Sequence, residues 1–415
     1  MPNNQSTVTI GTLFKNNVIR TLLLSTLFLQ IGIWVRNYSI LLFVVEKTHE
    51  NPVAVSLISV AEFAPIFLFS FIGGTFADRW RPKQTMIWCD FLSAVSVFAV
   101  LLTLVFGSWK MIFFATLVSS ILSQFSQPSG MKLFKLHVKE ELIQMGMSIY
   151  QTLFAVFMIL GPVLGTFVYQ HFGIDTAIAI MGIAFLLSSA ILFTLPADYE
   201  LESKGEQTTI LQEMKAGFSY VWNSRALTLL GGCFTAAGLA IGLTQPLAVF
   251  LITEKLGLPK EQLQWLMAAF GIGMILGGGL TVGLAKKTPP QILLAAGMAA
   301  SAIGFFTLGI SELFWLTLAA QFLSGLFMPC VQIGINTMII KNTEAAFIGR
   351  VNGILNPLFM GTMVVMMTVS GWLKQSFSLL AMYETSALLF VIGVLILVPL
   401  FKGSGSGVVK KGEEA

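Results

Sequence analysis

The chain is 415 residues long, 55% hydrophobic and only 11% charged, with a net charge of +4. A soluble domain carries about 25% charged residues, and a soluble fold of this length has no interior large enough for so much apolar side chain. Composition therefore excludes that class and points to a protein of the bilayer. The positive excess is scattered over short loops, which argues against a nucleic-acid surface. Cys89, Cys233 and Cys330 lie in or beside separate apolar runs without CxxC spacing, and read as small buried hydrophobes rather than metal or redox ligands.

A spanning helix needs about 20 mostly apolar residues. Twelve such runs follow one another: 17–45, 53–77, 84–106, 110–133, 142–169, 174–195, 226–252, 262–285, 290–310, 313–337, 347–373 and 378–401. The first is too long for a signal-peptide core and no small-residue cleavage site follows it, so it reads as a mature span. The connections are short except for 196–225, a polar stretch whose second part, 209–222, has the pattern of an amphipathic helix on the membrane surface. The expected organisation is an N-terminal six-helix bundle (1–195), a cytoplasmic linker (196–225), a C-terminal six-helix bundle (226–402) and a flexible cytoplasmic tail (403–415). The expected fold class is all-α integral membrane, with twelve transmembrane helices in two pseudo-symmetric bundles.

Orientation follows from the basic residues. With the N-terminus inside, eighteen of the 24 Lys and Arg residues fall on the cytoplasmic side, five fall outside, and Arg36 lies within a span. That bias places both termini in the cytoplasm of a plasma-membrane protein. The halves echo each other: Gly74 and Gly279 end the second and eighth runs, and Pro128 and Pro329 sit late in the fourth and tenth. Similar offsets at similar depths fit the parallel-repeat plan of secondary transporters.

No GxxxxGK[ST] and no HExxH occurs, and His49, His137 and His171 fall in or near separate loops. Nothing in the residues points to an enzyme, a metal or a bound cofactor, so the energy source is expected to lie outside the chain, in an ion gradient or the substrate's own gradient.

The turn between the second and third runs reads GGTFADRWRPKQTM, residues 73–86. Its Gly74-x-x-x-Asp78-Arg79-x-x-x-Lys83 resembles the signature loop of the major facilitator superfamily, GxLaDrxGrk, with Arg81 at the usual Gly and Pro82 at the usual Arg. The resemblance implies a cytoplasmic latch. Gly74 would admit a neighbouring helix, Asp78 would face a helix N-terminus, and Arg79 and Lys83 would pair with acids or anionic headgroups. LGPVLGT, residues 160–166, resembles the antiporter motif gxxxGPxxGG of facilitator exporters. Gly161, Pro162 and Gly165 match, while Phe157 and Thr166 depart from it. Pro162 removes a helix hydrogen bond and bends the span. FSQPSGMKLFKLHVKEEL and IIKNTEAAFIGRVNGI resemble the macrolide-efflux and siderophore-exporter branch; Gly349-Arg350-Val351 opens the eleventh run there, and Arg350 joins the latch candidates. The fourth run lacks the arginine that many proton antiporters of the family carry.

Charges inside the spans are the remaining signal. Arg36 and Glu62 each lie 13 residues from the turn near residue 49, roughly 20 Å of helix and turn. Antiparallel helices would bring both to one depth, where a lone charge costs several kcal/mol. Two readings stand: a buried ion pair, or a proton or cation site at Glu62 tuned by Arg36. Asp90, a few residues from the cytoplasmic end and so open to hydration, and Glu384, a short way in from the outside, are the other embedded acids and further coupling candidates. Gln30, Trp34 and Asn37 share one face of the first helix and suit a cavity for an amphipathic ligand. Gln124, Gln151, Gln245 and Asn356 are further cavity candidates, with helix-to-helix hydrogen bonding as the alternative. Residues and resemblance together lead us to expect a monomeric exporter of amphipathic, drug- or macrolide-like small molecules. It would work by proton antiport and alternating access, in the lipid bilayer and without nucleic acid. The alternatives are an exporter of a specific metabolite such as a siderophore and a lipid or lysolipid transporter.

Overall fold

A computed structural model of the chain describes residues 16–106, 109–138, 140–196, 210–344 and 347–403; the side chains at 70–79 and a few other positions lie outside that description. Among the described residues every regular element is helical. α1 spans Asn17–Lys47, α2 Pro52–Arg79, α3 Pro82–Val105 and α4 Met111–His137. The next helical stretch, Glu140–Leu192, is broken at Gly173 into α5 (140–172) and α6 (174–192). α7 spans Ile210–Asn223 and α8 Arg225–Thr244, the latter running on through short irregular turns to Lys255. α9 spans Leu263–Ala285, α10 Pro290–Ile310, α11 Phe314–Lys341, α12 Ile348–Ser376 and α13 Leu379–Gly403.

Local chemistry sets several of these limits. Asn16 opens α1: its Oδ1 accepts from the N–H groups of Val18 (2.9 Å) and Ile19 (3.3 Å), satisfying donors that a helix start leaves bare. Pro82 opens α3, where its fixed φ fits and its missing N–H costs nothing. Ser224 separates α7 from α8 and caps the latter at Leu227 N–H. Gly173 has φ 74° and ψ −179°, a conformation that is essentially confined to glycine. Val168 and Ala177 pack together on Val35, with Leu164 and Ile180 beside them. The pairs are evenly spaced about Gly173, as in a helical hairpin.

Among the described residues ten helical stretches are long and apolar enough to cross a membrane, and Met145–Leu192 is among them as one. Dividing it at Gly173 and adding α4, whose serines, glutamines and lysines lower its hydropathy, gives the twelve crossings expected from the sequence. The up-and-down order is visible in one core cluster. Ile19 and Leu22 at the start of α1 and Met86 at the start of α3 pack with Leu133 and Phe134 at the end of α4 and Leu192 at the end of α6.

The chain falls into two compact units. The first comprises Met1–Glu206, Pro246–Gly271 and Met367–Trp372. Its extra segments differ from a division into the chain halves 1–195 and 226–402, and side-chain contacts explain why they belong there. Ser56 and Ser370 share a hydrogen bond of 3.0 Å, and a Cβ on Gly371 would strike the Pro52 carbonyl. The α1–α2 turn holds His49 and Glu50 at positive φ; Glu50 accepts a hydrogen bond from Thr253 Oγ1 (3.3 Å).

The second unit comprises Gln207–Gln245, Ile272–Met366 and Leu373–Ala415. Its core gathers Leu230, Leu294, Met298, Val351, Leu355 and Leu397. α7 lies in the stretch expected to be amphipathic and packs by one edge on the turn before α12. Tyr220 stacks on Phe347 at 4.5 Å and its hydroxyl accepts the Glu344 N–H at 3.1 Å.

Candidate functional site

The embedded charges of the first unit meet through an amide. Arg36 Nε donates to Asn37 Oδ1 (2.8 Å), and Asn37 Nδ2 donates to Glu62 Oε1 (2.5 Å). Arg36 Nη1 reaches Ser119 Oγ on α4, and Ser119 passes its own proton to the Thr116 carbonyl (3.2 Å). Glu62 and Arg36 act on one another electrostatically, yet the direct ion pair of the first sequence reading is replaced by a relay. The reason is angular. Arg36 and Asn37 leave α1 about 100° apart, so Asn37 addresses α2 while the longer arginine turns to α4. Arg36 is 5% exposed; a cation buried there needs these dipoles, because an unpaired charge costs far more than a neutral polar group.

Gln30, Trp34 and Asn37, expected to line a cavity, separate in the structure. Gln30 is 4% exposed and its amide makes no hydrogen bond among the described residues. Trp34 stacks on Tyr38 at 5.9 Å and covers Gly161, where a Cβ would strike its indole. A Cβ on Gly165 would lie 2.7 Å from the Trp34 carbonyl oxygen and 2.7 Å from Tyr38 Cβ. Ser39 Oγ donates to the Gly165 carbonyl (3.1 Å). Gly161 and Gly165, flanking Pro162, thus set α5 directly against α1.

Asp90 is not at a hydrated helix end as its position in the sequence suggested: it is 2% exposed. Ser126 of α4 donates to its Oδ1 (3.2 Å) and Ser188 of α6 to its Oδ2 (2.6 Å). Ser25 of α1 bonds Ser188 at 2.8 Å. Sequence reasoning missed these three serines, which come from three separate apolar runs.

The latch candidates divide. The side chains of Gly74, Asp78 and Arg79 lie outside the described residues. Lys83 Nζ donates to the carbonyls of Phe193 (3.1 Å) and Leu195, a favourable place for a cation just beyond a helix C-terminus. Arg350 lies over the Phe347 ring at 5.1 Å, and its backbone abuts Gly217 of α7. Gln124 Nε2 bonds Ser120 O and Ser123 Oγ on its own helix (3.5 and 3.2 Å). Gln151 of the first unit and Gln245 and Asn356 of the second are exposed.

A further cluster lies at the end of the first unit where α1 finishes. Lys260 pairs with Glu46 and donates to the Leu42 carbonyl (3.3 Å). Tyr169 donates to Glu46 Oε2 (2.8 Å), with Lys260 5.3 Å above its ring. Glu46 is 65% exposed, so the pair is worth less than about 1 kcal/mol. Its contribution is register rather than strength. Partners 214 positions apart leave no local signal in a sequence.

The family model described as Major Facilitator Superfamily matches the chain over residues 22–254 and again over 230–414. The chain belongs to the major facilitator superfamily. It is similar to the uncharacterised MFS-type transporter YfiS of Bacillus subtilis (strain 168), with 28% identity over 401 residues, 93% of this chain and 94% of that one. It is also similar to the uncharacterised MFS-type transporter YkuC of the same strain, with 24% identity over 360 residues, 84% and 83% of the two chains. Among solved structures, a mutant of the nucleoside transporter NupG superposes with TM-score 0.74 at 13% identity, over 94% of this chain and 100% of the other. A POT family transporter in complex with 5-aminolevulinic acid gives TM-score 0.72 at 12% identity, over 93% and 96%. At such identities the shared property is the fold. The protein is a multi-pass membrane transporter of this superfamily, and not an enzyme.

Proposed function

We propose that this transporter expels amphipathic, drug- or macrolide-like small molecules from the cell in exchange for protons, by alternating access. In this reading the halves 1–195 and 226–402 are the moving bundles, 196–225 joins them, and both termini are cytoplasmic. Gly74, Asp78, Arg79, Lys83 and Arg350 belong to the cytoplasmic latch. The observation that carries the proposal is the Arg36–Asn37–Glu62 relay. A carboxylate held by an amide, with its cation one group removed, can take and release a proton without breaking a direct ion pair. The amide of Gln30 on the same helix, without a hydrogen bond among the described residues, suits a ligand with both polar and apolar parts.

Inverted membrane vesicles test it. With an imposed pH gradient, a lipophilic cationic dye should accumulate in wild-type vesicles and leak out when a protonophore collapses the gradient. Glu62→Gln should lower the rate at least about tenfold, in line with loss of a general proton acceptor. Gradient-independent wild-type transport rules out proton antiport; unimpaired transport by Glu62→Gln makes that residue structural.

Alternating access has its own check. Cysteines at positions 56 and 370, where the serine hydroxyls are 3.0 Å apart, should form a disulfide under mild oxidation. Transport should then stop and return on reduction. The native cysteines are all buried and leave the assay quiet. Full activity of the oxidised protein would show that this end never opens.

A further inference from the structure

Asp90 is buried without a countercharge. Arg36 acts on Glu62, whereas among the described residues Asp90 has only hydroxyl partners, Ser126 on Oδ1 and Ser188 on Oδ2. The helices that supply the surrounding serines bring no charge to it. α1 has no titratable side chain between Arg20 and Arg36, α4 none between Met111 and Lys132, and α6 none beyond Asp175 at its far end. Tyr150 of α5 lies against the rings of Phe134 and Phe154. On α3 itself the neighbouring Cys89 is buried, and Lys83, two turns nearer the cytoplasm, reaches the carbonyls of Phe193 and Leu195. A permanently ionised carboxylate in this place is costly, and acids kept inside spans mark the passage of protons or ions. The serines serve both forms of the carboxyl. With Asp90 ionised, Ser126 and Ser188 donate to its two oxygens, and Ser25 donates to Ser188 across 2.8 Å. With Asp90 protonated, Oδ2–H donates to Ser188 Oγ and Ser188 turns its own proton to Ser25. A hydroxyl both donates and accepts, so one proton is gained or lost while every heavy atom keeps its place.

We propose that Asp90 is a second proton-binding site, one that exchanges its proton with the cytoplasm. Its part in coupling rests on the proton-antiport reading; the binding of the proton does not. Asp90 lies eight residues into α3, about 12 Å from its start, at the end that the Lys and Arg bias assigns to the cytoplasm. Glu62 lies 17 residues from the same end of α2, roughly 26 Å, so the two carboxyls stand at two depths. The way out follows the seam of α1 and α6. Thr21, one turn before Ser25 on α1, bonds Thr194 at 3.2 Å, and Thr194 is exposed just beyond α6. Hydroxyl pairs on consecutive turns, Ser25–Ser188 and Thr21–Thr194, thus lead from Asp90 towards the surface. The oxygens around Asp90 would also attract a hard cation. Their separations of 2.6, 2.8 and 3.2 Å are those of groups sharing protons, so the ligand is a proton rather than sodium.

The test is infrared difference spectroscopy of the full chain in lipid while the pH is stepped from acid to alkaline. A protonated carboxyl has a C=O stretch that a carboxylate lacks. The wild type should show such a band shrinking as the pH rises, and Asp90→Asn should abolish the part that belongs to this site. That variant should fold, because its amide accepts from Ser126 and donates to Ser188 as the protonated acid does. Ser126→Ala should move the band to higher frequency, since the carboxyl then accepts one hydrogen bond fewer. Ser25→Ala should slow the band's shift on transfer to deuterium oxide. In inverted vesicles, Asp90→Asn should lower gradient-driven dye uptake at least about tenfold. An Asp90 band that stays constant with pH would make the residue a fixed structural acid. Displacement of the band by sodium at constant pH would make it a metal site. Unimpaired gradient-driven uptake by Asp90→Asn would remove it from coupling. Each of these overturns the proposal. Wild-type uptake that ignores the gradient overturns the antiport reading instead and leaves the infrared result to decide on Asp90.

Discussion

Replacing Arg36 with glutamine should cost the transporter about 3 kcal/mol of stability, and replacing Arg36 and Glu62 together should restore most of it. The single change removes the donor to Asn37 Oδ1 and to Ser119 Oγ and leaves the Glu62 charge buried without its cation. The double change leaves neutral amides around Asn37, which can still bond one another. A neutral polar cluster in a bilayer is cheaper than one uncompensated charge. Thermal unfolding of the four proteins in one detergent gives the coupling as a double-mutant cycle. Transport separates structure from function, because the double variant should be stable and still fail to couple to a pH gradient. Recovery of stability together with proton-coupled transport would remove Glu62 from the mechanism. Independent, additive losses would show that the relay does not hold the two charges as one unit.

Much of this arrangement was legible because helix geometry is regular. Equal spacing of Arg36 and Glu62 from the α1–α2 turn placed them at one depth, and the twelve apolar runs placed the helices. What was not legible is the choice of partner. Asn37 was singled out as a cavity residue, and its bridging role depends on a rotation of α1 that hydropathy does not encode. Trp34 was given the same role, and it covers Gly161 as well. The serines around Asp90 look like the small polar residues that any spanning helix tolerates; only packing shows that Ser25, Ser126 and Ser188 converge. Lys83 illustrates a further limit. Its acceptors are the backbone carbonyls of Phe193 and Leu195, and every residue carries such an acceptor, so no pattern marks the pair. Acid-to-base matching along a sequence favours side-chain partners and overlooks helix ends.

Three consecutive glycines in α9 should respond differently to the same substitution. A Cβ on Gly277 would strike the backbone of Leu326 on α11, whereas one on Gly278 or Gly279 would meet nothing within 4 Å. Four residues earlier, a Cβ on Gly273 would strike the Phe322 carbonyl. Positions 273 and 277 on α9 therefore oppose 322 and 326 on α11, a four-residue ridge of small residues that brings two backbones together. All three substitutions to alanine gain the same helix propensity, about 1 kcal/mol over glycine. Gly278→Ala and Gly279→Ala should therefore be neutral or raise the unfolding temperature. Gly277→Ala must push α9 and α11 apart, because a carbonyl cannot rotate out of the way as a side chain can; overpacking of this kind costs about 1–3 kcal/mol. The comparison controls for the unfolded state, since the three sites are neighbours in one sequence. Gly279 pairs with Gly74 by its place in the repeat, yet it is Gly277 that admits the neighbouring helix. A helix pair locked backbone to backbone moves as one body, which a bundle that rocks as a unit requires. Equal unfolding temperatures for Gly277→Ala and Gly279→Ala would mean that α9 and α11 stand further apart, and that the bundle is softer than this ridge makes it.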